Sequence, residues 1–132
     1  MTNVTIMRRI GCAAVAAAAI VSSTGTPSNA SGEASGVMAM CMARGIDDHT
    51  VCVCAEEKLV GVIGDESLLL YAAVGTAFVG DMKKGMDMGL SWDMAIDHVS
   101  ANQGIGRTPL LERMNRAGRD HRIAIRQCRE AG

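Results

Sequence analysis

The chain has 132 residues and a nearly balanced charge, with 13 Lys and Arg against 14 Asp and Glu, and it holds one Trp, one Tyr and one Phe. This length is that of one domain, which is the organisation that we expect. No Gly-rich phosphate loop, nucleophile elbow or His-Glu-x-x-His sequence occurs, which excludes the enzyme classes that those motifs identify. No arrangement of Ser, His and Asp predicts catalysis, so we expect a protein without enzymatic activity and without a cofactor.

The N-terminus has the pattern of a cleavable export signal. Arg8 and Arg9 form a positive region, and an apolar run from Ile10 to Val21 follows directly. This run is shorter than the ~20 residues that a membrane-spanning helix needs, and it has the length of a signal-peptide core. We therefore expect residues 1–30 to be removed and residues 31–132 to form one periplasmic or secreted domain without a transmembrane segment. A buried N-terminal helix is the alternative interpretation.

The remaining sequence has the apolar periodicity of helices. Apolar residues recur at steps of three and four, and the alternation typical of strands is almost absent. The pattern predicts an all-α fold, a small bundle of four to five short helices held by two disulfides. The predicted helices run from about Glu33 to Arg44, from Asp47 or Asp48 to Gly64, from Asp65 as the cap to before Gly85, from Ser91 as the cap to Gly104 after a loop at 86–90, and from Thr108 as the cap to about Arg129 with a break at Gly118.

The apolar faces of the predicted helices indicate which residues are buried. The third helix is the most apolar, so we expect it at the centre of the bundle. The stretch from Thr50 to Cys54 has a short strand as its alternative. The predicted interior residues are Val51, Ala55, Leu59 and Val62 in the second helix, Leu68, Leu69, Ala72, Ala73, Thr76 and Val79 in the third, and Met94, Ala95, Ile96 and Val99 in the fourth.

The cysteines predict a closed disulfide framework. Cys12 is lost with the signal, and Cys41, Cys52, Cys54 and Cys128 remain, an even number in a protein exported to an oxidising compartment. Cys41 and Cys52 lie at similar distances from the turn of a helical hairpin, and Cys54 is rotated from Cys52 by about 200°. Cys41–Cys52 with Cys54–Cys128 is therefore our first prediction. The alternative pairing is Cys41–Cys54 with Cys52–Cys128, which spacing alone does not exclude.

A redox pair and a Cu(I) site are two other interpretations of the stretch from Met38 to Cys54. Cys52 and Cys54 form a potential dithiol, but the acids at Asp47 and Asp48 oppose the thiolate that a redox cysteine needs. Eight methionines remain after cleavage, and soft sulfur ligands select Cu(I), so a periplasmic copper-binding protein is the alternative function. Methionine also fills the core of a protein with few aromatics, which we favour, and we predict no metal ligand.

Charge is distributed unevenly between the two parts of the mature sequence. Residues 31–104 hold 4 basic and 11 acidic residues, whereas residues 105–132 hold 7 arginines and 3 acids. One interpretation is that the last helix packs its arginine stems over an acidic body. The other is that the arginines bind an anionic macromolecular partner. The candidate partner-binding residues are Arg107, Arg113, Arg116, Arg119, Arg122, Arg126 and Arg129.

A helix–turn–helix pattern is present between Ala95 and Arg119. Two predicted helices flank a short Gly-containing turn, and the second carries arginines suited to phosphate contacts. An export signal separates the protein from chromosomal DNA, and the same pattern joins helices in many small bundles. We therefore expect no nucleic-acid partner.

Three short motifs together resemble a group of small exported four-cysteine bacterial proteins. They are Cys-x10-Cys-x-Cys-Ala from Cys41 to Ala55, Leu-Leu-Leu-Tyr-Ala-Ala-Val-Gly from Leu68 to Gly75, and Ala-Ile-Arg-Gln-Cys from Ala124 to Cys128. The resemblance implies a helical fold and export, and it implies nothing about an activity. The expected function is therefore that of an exported protein that binds a macromolecular partner.

Overall fold

The computed structural model describes residues 35–132, so the expected signal peptide lies outside the described residues. These residues form five α-helices, α1 (Gly36–Ala43), α2 (His49–Ile63), α3 (Asp65–Lys83), α4 (Met88–Gln103) and α5 (Arg107–Ala131). No strand occurs within residues 35–132, which confirms the all-α bundle. The stretch from Thr50 to Cys54 belongs to α2, so the strand alternative is wrong.

The first helix is shorter than predicted at its start. Ser35 caps α1, because its hydroxyl oxygen accepts a hydrogen bond from the backbone N–H of Met38 at 3.1 Å. Gly45 follows the end of the helix with a φ of 77°, a conformation that favours glycine. Glu33, where the helix was expected to begin, lies outside the described residues.

Aspartate side chains begin two of the helices. Asp48 accepts hydrogen bonds from two backbone N–H groups in the first turn of α2, which confirms it as one of the two predicted caps. Asp87 does the same for α4, at 2.9 and 3.1 Å. The helix therefore begins at Met88, so the predicted loop at 86–90 holds for Met86 and Asp87 and is wrong for residues 88–90. Ser91, the predicted cap, lies fully buried inside the helix.

Two further helix starts differ from the prediction. Gly64 occupies the capping position of α3, and Asp65 is the first helical residue. There the negative charge of Asp65 interacts favourably with the positive N-terminal end of the helix dipole. The last helix begins at Arg107, so Thr108 is inside it and is not its cap. This helix also continues through Gly118 without a break. A single glycine costs a helix only about 1 kcal/mol, which the packing on both sides of Gly118 offsets.

Helix α3 lies at the centre of the bundle, as predicted, because it contacts each of the other four helices. Some predicted interior residues are wrong. Val62, Leu69 and Met94 have exposed fractions of 69%, 72% and 43%, and Thr76 is exposed as well. In α3 the buried stripe is rotated by about one residue, so Leu70 takes the interior position that Leu69 was expected to fill.

Two glycines allow α1 and α3 to approach at backbone distance. A Cβ atom added to Gly36 would overlap the carbonyl oxygen of Ala72, and one added to Gly75 would lie 2.5 Å from the carbonyl oxygen of Gly36. Both neighbours are backbone atoms inside helices, which cannot yield as a flexible side chain can. Neither residue can therefore be larger while the two helices keep this separation.

The cysteines join three helices around a second, smaller core. Cys41 of α1 pairs with Cys52 of α2, and Cys54 of α2 pairs with Cys128 of α5. This is the pairing we predicted first, and the alternative pairing is wrong. The bridges lie in a cluster with Met38, Ala55, Ala124 and Ile125, separate from the main core that surrounds α3. Cys52 and Cys54 bond to different partners because they lie on different sides of α2.

We predict that Gly75→Ala destabilises the protein by about 1–3 kcal/mol, because the new methyl group forces α1 away from α3. Gly80→Ala is the matched control, since it lies in the same helix with open space around its Cβ position. The free energy of unfolding of Gly80→Ala is expected to rise by up to about 1 kcal/mol, because alanine has a higher helix propensity than glycine. Urea unfolding of both variants checks this, and equal shifts in the same direction would contradict the close contact.

We predict that the Cys54–Cys128 bridge stabilises the protein more than the Cys41–Cys52 bridge. Their sequence separations are 74 and 11 residues, which in the chain-entropy model correspond to about 4.5 and about 3 kcal/mol. The paired variants C54S/C128S and C41S/C52S remove one bridge each without leaving a free thiol. In thermal melts C54S/C128S should have the lower melting temperature. The reverse order would show that packing, and not loop length, determines which bridge contributes more to stability.

Candidate functional site

Helix α5 has one buried face and one charged face. Leu110, Met114, Ala117, His121 and Cys128 recur at steps of three, four and seven and are all buried against the other helices. The arginines lie among the remaining positions of the helix, together with the acids Glu112, Asp120 and Glu130. This division is the amphipathic pattern of a helix that covers a core on one side.

Two of the seven candidate arginines form ion pairs with other helices. Arg107 donates to Asp97 at 2.6 Å and to Asp93 at 3.2 Å, which ties the start of α5 to α4. Arg113 donates to Ser67 at 3.0 Å and to Glu66 at 3.1 Å, which ties α5 to α3. Exposed pairs of this kind contribute little to stability, because water and salt screen the charges. They position the helix, as the interpretation of packing over an acidic body expects.

The other five arginines lie together on the exposed side of α5 and define an arginine face. At 100° per residue they fall within an arc of about 140° around the helix axis. None of the ion pairs found within residues 35–132 includes any of them. The arginine face consists of Arg116, Arg119, Arg122, Arg126 and Arg129, all exposed.

A buried tyrosine–histidine pair lies on the opposite side of α5. The hydroxyl of Tyr71 and Nδ1 of His121 are 3.2 Å apart, and the two rings meet edge to face with centroids 5.6 Å apart. Both residues are almost completely buried, and Nε2 of His121 has no hydrogen-bond partner within the described residues. Sequence reasoning missed this pair, although His121 continues the buried stripe of α5 at a spacing of four from Ala117 and Ile125.

Burial shifts the pKa of both partners toward their neutral forms. Burial, assisted by the positive charges of Arg44 and Arg122, lowers the pKa of His121 to about 4. Burial also raises the pKa of Tyr71 to about 12, although the same two arginines act in the opposite direction there. The pair is therefore uncharged at neutral pH.

The cysteines between residues 35 and 132 offer no preformed metal site. All four cysteines between residues 35 and 132 are oxidised, so none offers the thiolate that binds Cu(I). The sulfur of Met42 lies 3.8 Å from Sγ of Cys52, and because Cys52 carries no S–H this is a sulfur–sulfur contact. No group of three or more His, Cys, Asp or Glu side chains in the described part of the chain could hold a metal ion. The copper hypothesis stays a prediction.

Comparisons with protein-family models, with curated protein sequences and with solved structures found no match to this chain. No helix between residues 35 and 132 is long and apolar enough to span a bilayer.

We predict that His121 makes stability fall as the pH falls. Above its unfolded pKa of about 6.5 the ring is neutral in both states, and between about 6.5 and 4 only the unfolded chain takes up the proton. Between pH 7 and pH 5 this difference is expected to remove about 2 kcal/mol from the free energy of unfolding.

Urea unfolding of the wild-type protein and of His121→Gln at several pH values checks this prediction. His121→Gln should flatten the dependence of stability on pH between pH 7 and 5. Parallel stability curves for the wild-type protein and His121→Gln would contradict the assignment.

Proposed function

We propose that the protein is exported to the periplasm or the cell exterior and acts there by binding an anionic macromolecular partner through its arginine face. The observation that carries the proposal is the set of five exposed arginines on one helix, without carboxylate partners among residues 35–132. The proposal assigns the protein no reaction.

The chemistry of arginine supports this function. Each guanidinium group presents donors in a planar fork that fits carboxylate and phosphate oxygens, and it stays charged at any physiological pH. Several such groups on one side raise the local concentration of an acidic partner and accelerate its association. Clustered like charges without partners also repel one another, a cost that an anionic partner removes.

The rigidity of α5 also supports a binding role. The helix is fixed near its start by Arg107 and Arg113 and near its end by the disulfide at Cys128. Attachment at both ends holds the guanidinium groups on one preformed surface, so binding orders only side chains. A flexible basic tail would lose much more conformational freedom on association.

The two disulfides support the proposed location. They indicate an oxidising compartment, because cytosolic thiols are kept reduced in most cells. Together with the expected signal sequence, they favour export of a mature chain that begins at Ser31.

We predict that protein isolated from the envelope or medium of its host begins at Ser31 and contains no free thiol. Intact-mass measurement before and after thiol alkylation under non-reducing conditions checks both points. A soluble cytosolic species that retains Met1 and reacts at all five cysteines would contradict export and would restore the nucleic-acid hypothesis.

We predict that reversing the charge of the arginine face abolishes partner binding. The variant R116E/R119E/R126E leaves the ion pairs of Arg107 and Arg113 intact, so folding is retained. A photo-crosslinking amino acid at the exposed position of Gln127 captures whatever molecule contacts this face in the host envelope. Crosslinked species should be absent in the variant. With the wild-type arginine face, the yield of crosslinked species should fall with increasing salt.

The control for this experiment is K58E/K83E/K84E. This variant makes the same change in net charge at exposed lysines outside α5, of which Lys84 forms an ion pair with Asp81. Because such an exposed pair contributes little to stability, the variant separates the arginine face from a general charge effect. Unchanged crosslinking in R116E/R119E/R126E, or equal loss in both variants, would show that the arginine face is only solvated surface.

A further inference from the structure

A pocket of about 220 Å³ lies beside the Tyr71–His121 pair, between α1, α3, α4 and α5. Its walls are largely apolar, formed by Phe78 and Trp92 together with the exposed side chain of Met88. The indole N–H of Trp92 donates to Asn115 at 3.1 Å, and the Trp92 ring meets Phe78 edge to face. These contacts fix the orientation of the aromatic wall.

Two arginines from different helices line the same pocket. Arg44 follows the last turn of α1, and Arg122 projects from α5. Neither takes part in any ion pair found within residues 35–132, and no acidic residue lines the pocket. The field at the base of the pocket is positive, as the effect of both arginines on the pKa of His121 indicates.

A glycine keeps the base of the pocket open. A Cβ atom at Gly118 would lie 3.6 Å from the hydroxyl oxygen of Tyr71 and 4.0 Å from Nη1 of Arg122. Any larger residue at this position would therefore occupy the space in front of both polar groups. The glycine is inside a helix, where alanine would be favoured by about 1 kcal/mol, so its presence carries a stability cost that the open pocket explains.

We propose that this pocket binds a carboxylate attached to an apolar group. The two guanidinium groups supply donors for the carboxylate oxygens, and the aromatic wall with Met88 accepts the apolar part. A cavity of about 150 Å³ already holds a benzene ring, so the pocket has room for one ring or a short aliphatic chain. A free apolar acid and the C-terminus of a peptide with an apolar last residue share this chemistry.

Titration with 3-phenylpropanoate tests the proposal, with both disulfides intact and the protein labelled with nitrogen-15. Trp92 is the single tryptophan of the chain, so its indole N–H gives one assignable NMR signal inside the pocket. We expect saturable shifts of that signal at up to millimolar acid and weaker shifts with the neutral 3-phenylpropanamide. The peptide Gly-Gly-Phe and its C-terminal amide form the second pair of probes.

Variants identify the residues that bind the carboxylate. Arg44→Gln and Arg122→Gln should each weaken binding by about tenfold or more, since each removes charge-assisted hydrogen bonds. Arg116→Gln is the matched control, an exposed arginine of the same helix outside the pocket. Gly118→Ala should fold normally, because its Cβ contacts are ordinary van der Waals distances, and should also weaken binding.

The outcomes of this experiment separate the sources of the ligand. Binding of 3-phenylpropanoate without Gly-Gly-Phe supports a free acid as the ligand, and binding of both supports recognition of a peptide C-terminus. No shift with either acid, equal binding of acid and amide, or unchanged binding by both arginine variants would overturn the proposal. Should Arg44→Gln fail to fold, Arg122→Gln at its exposed position decides the result.

The pocket and the arginine face share only Arg122, and the tests are designed to remain separate. R116E/R119E/R126E alters the arginine face and leaves every residue that lines the pocket unchanged. Loss of crosslinking with intact binding of 3-phenylpropanoate, or the reverse, therefore distinguishes failure of one proposal from failure of the other.

Discussion

The two disulfides that begin on α2 are the constraint on which the rest of the structure depends. Because Cys52 and Cys54 lie on different sides of this helix, one bridge holds α1 and the other holds the end of α5. These two helices bring Arg44 and Arg122 to the same pocket from opposite sides. The bridges also reduce the entropy of the unfolded chain, which supports a small core that contains few aromatic residues.

The glycine contact between α1 and α3 complements these covalent links. A short helix such as α1 buries too little surface to be stable on its own, so it needs both a bridge and a close neighbour. At Gly36 and Gly75 the backbones approach until each helix packs directly against the main chain of the other. This close approach sets the depth at which the end of α1, and with it Arg44, lies over Tyr71.

The sequence was sufficient to predict the helices, because they depend on local spacing, and it ranked the observed disulfide pairing first without excluding the alternative. The three-to-four periodicity places Ala55 and Leu59 correctly, and the two-residue step from Cys52 to Cys54 separates their partners. The predicted start of α4 was wrong because two residues that can cap a helix, Asp87 and Ser91, lie about one turn apart. The pocket was not predictable, since Arg44 reaches α5 only through the tertiary packing of α1, which no spacing in the chain encodes.

Several features of this fold reduce its stability, and three of them lie in one region. His121 is buried without a partner for Nε2, Gly118 weakens the longest helix, and Arg44 and Arg122 line a pocket without an acidic residue. Local rules of stability are broken most often where a protein binds something, because the binding group supplies the missing partner. Exceptions occur elsewhere too, since Oγ of Ser91 in α4 is buried without a partner among the described residues and α3 contains Gly75. Near Tyr71, however, an unpaired imidazole nitrogen, a helical glycine and two arginines without an acidic residue in their pocket occur together. This combination is the physical reason to look for the ligand of this protein at the pocket that Arg44 and Arg122 line.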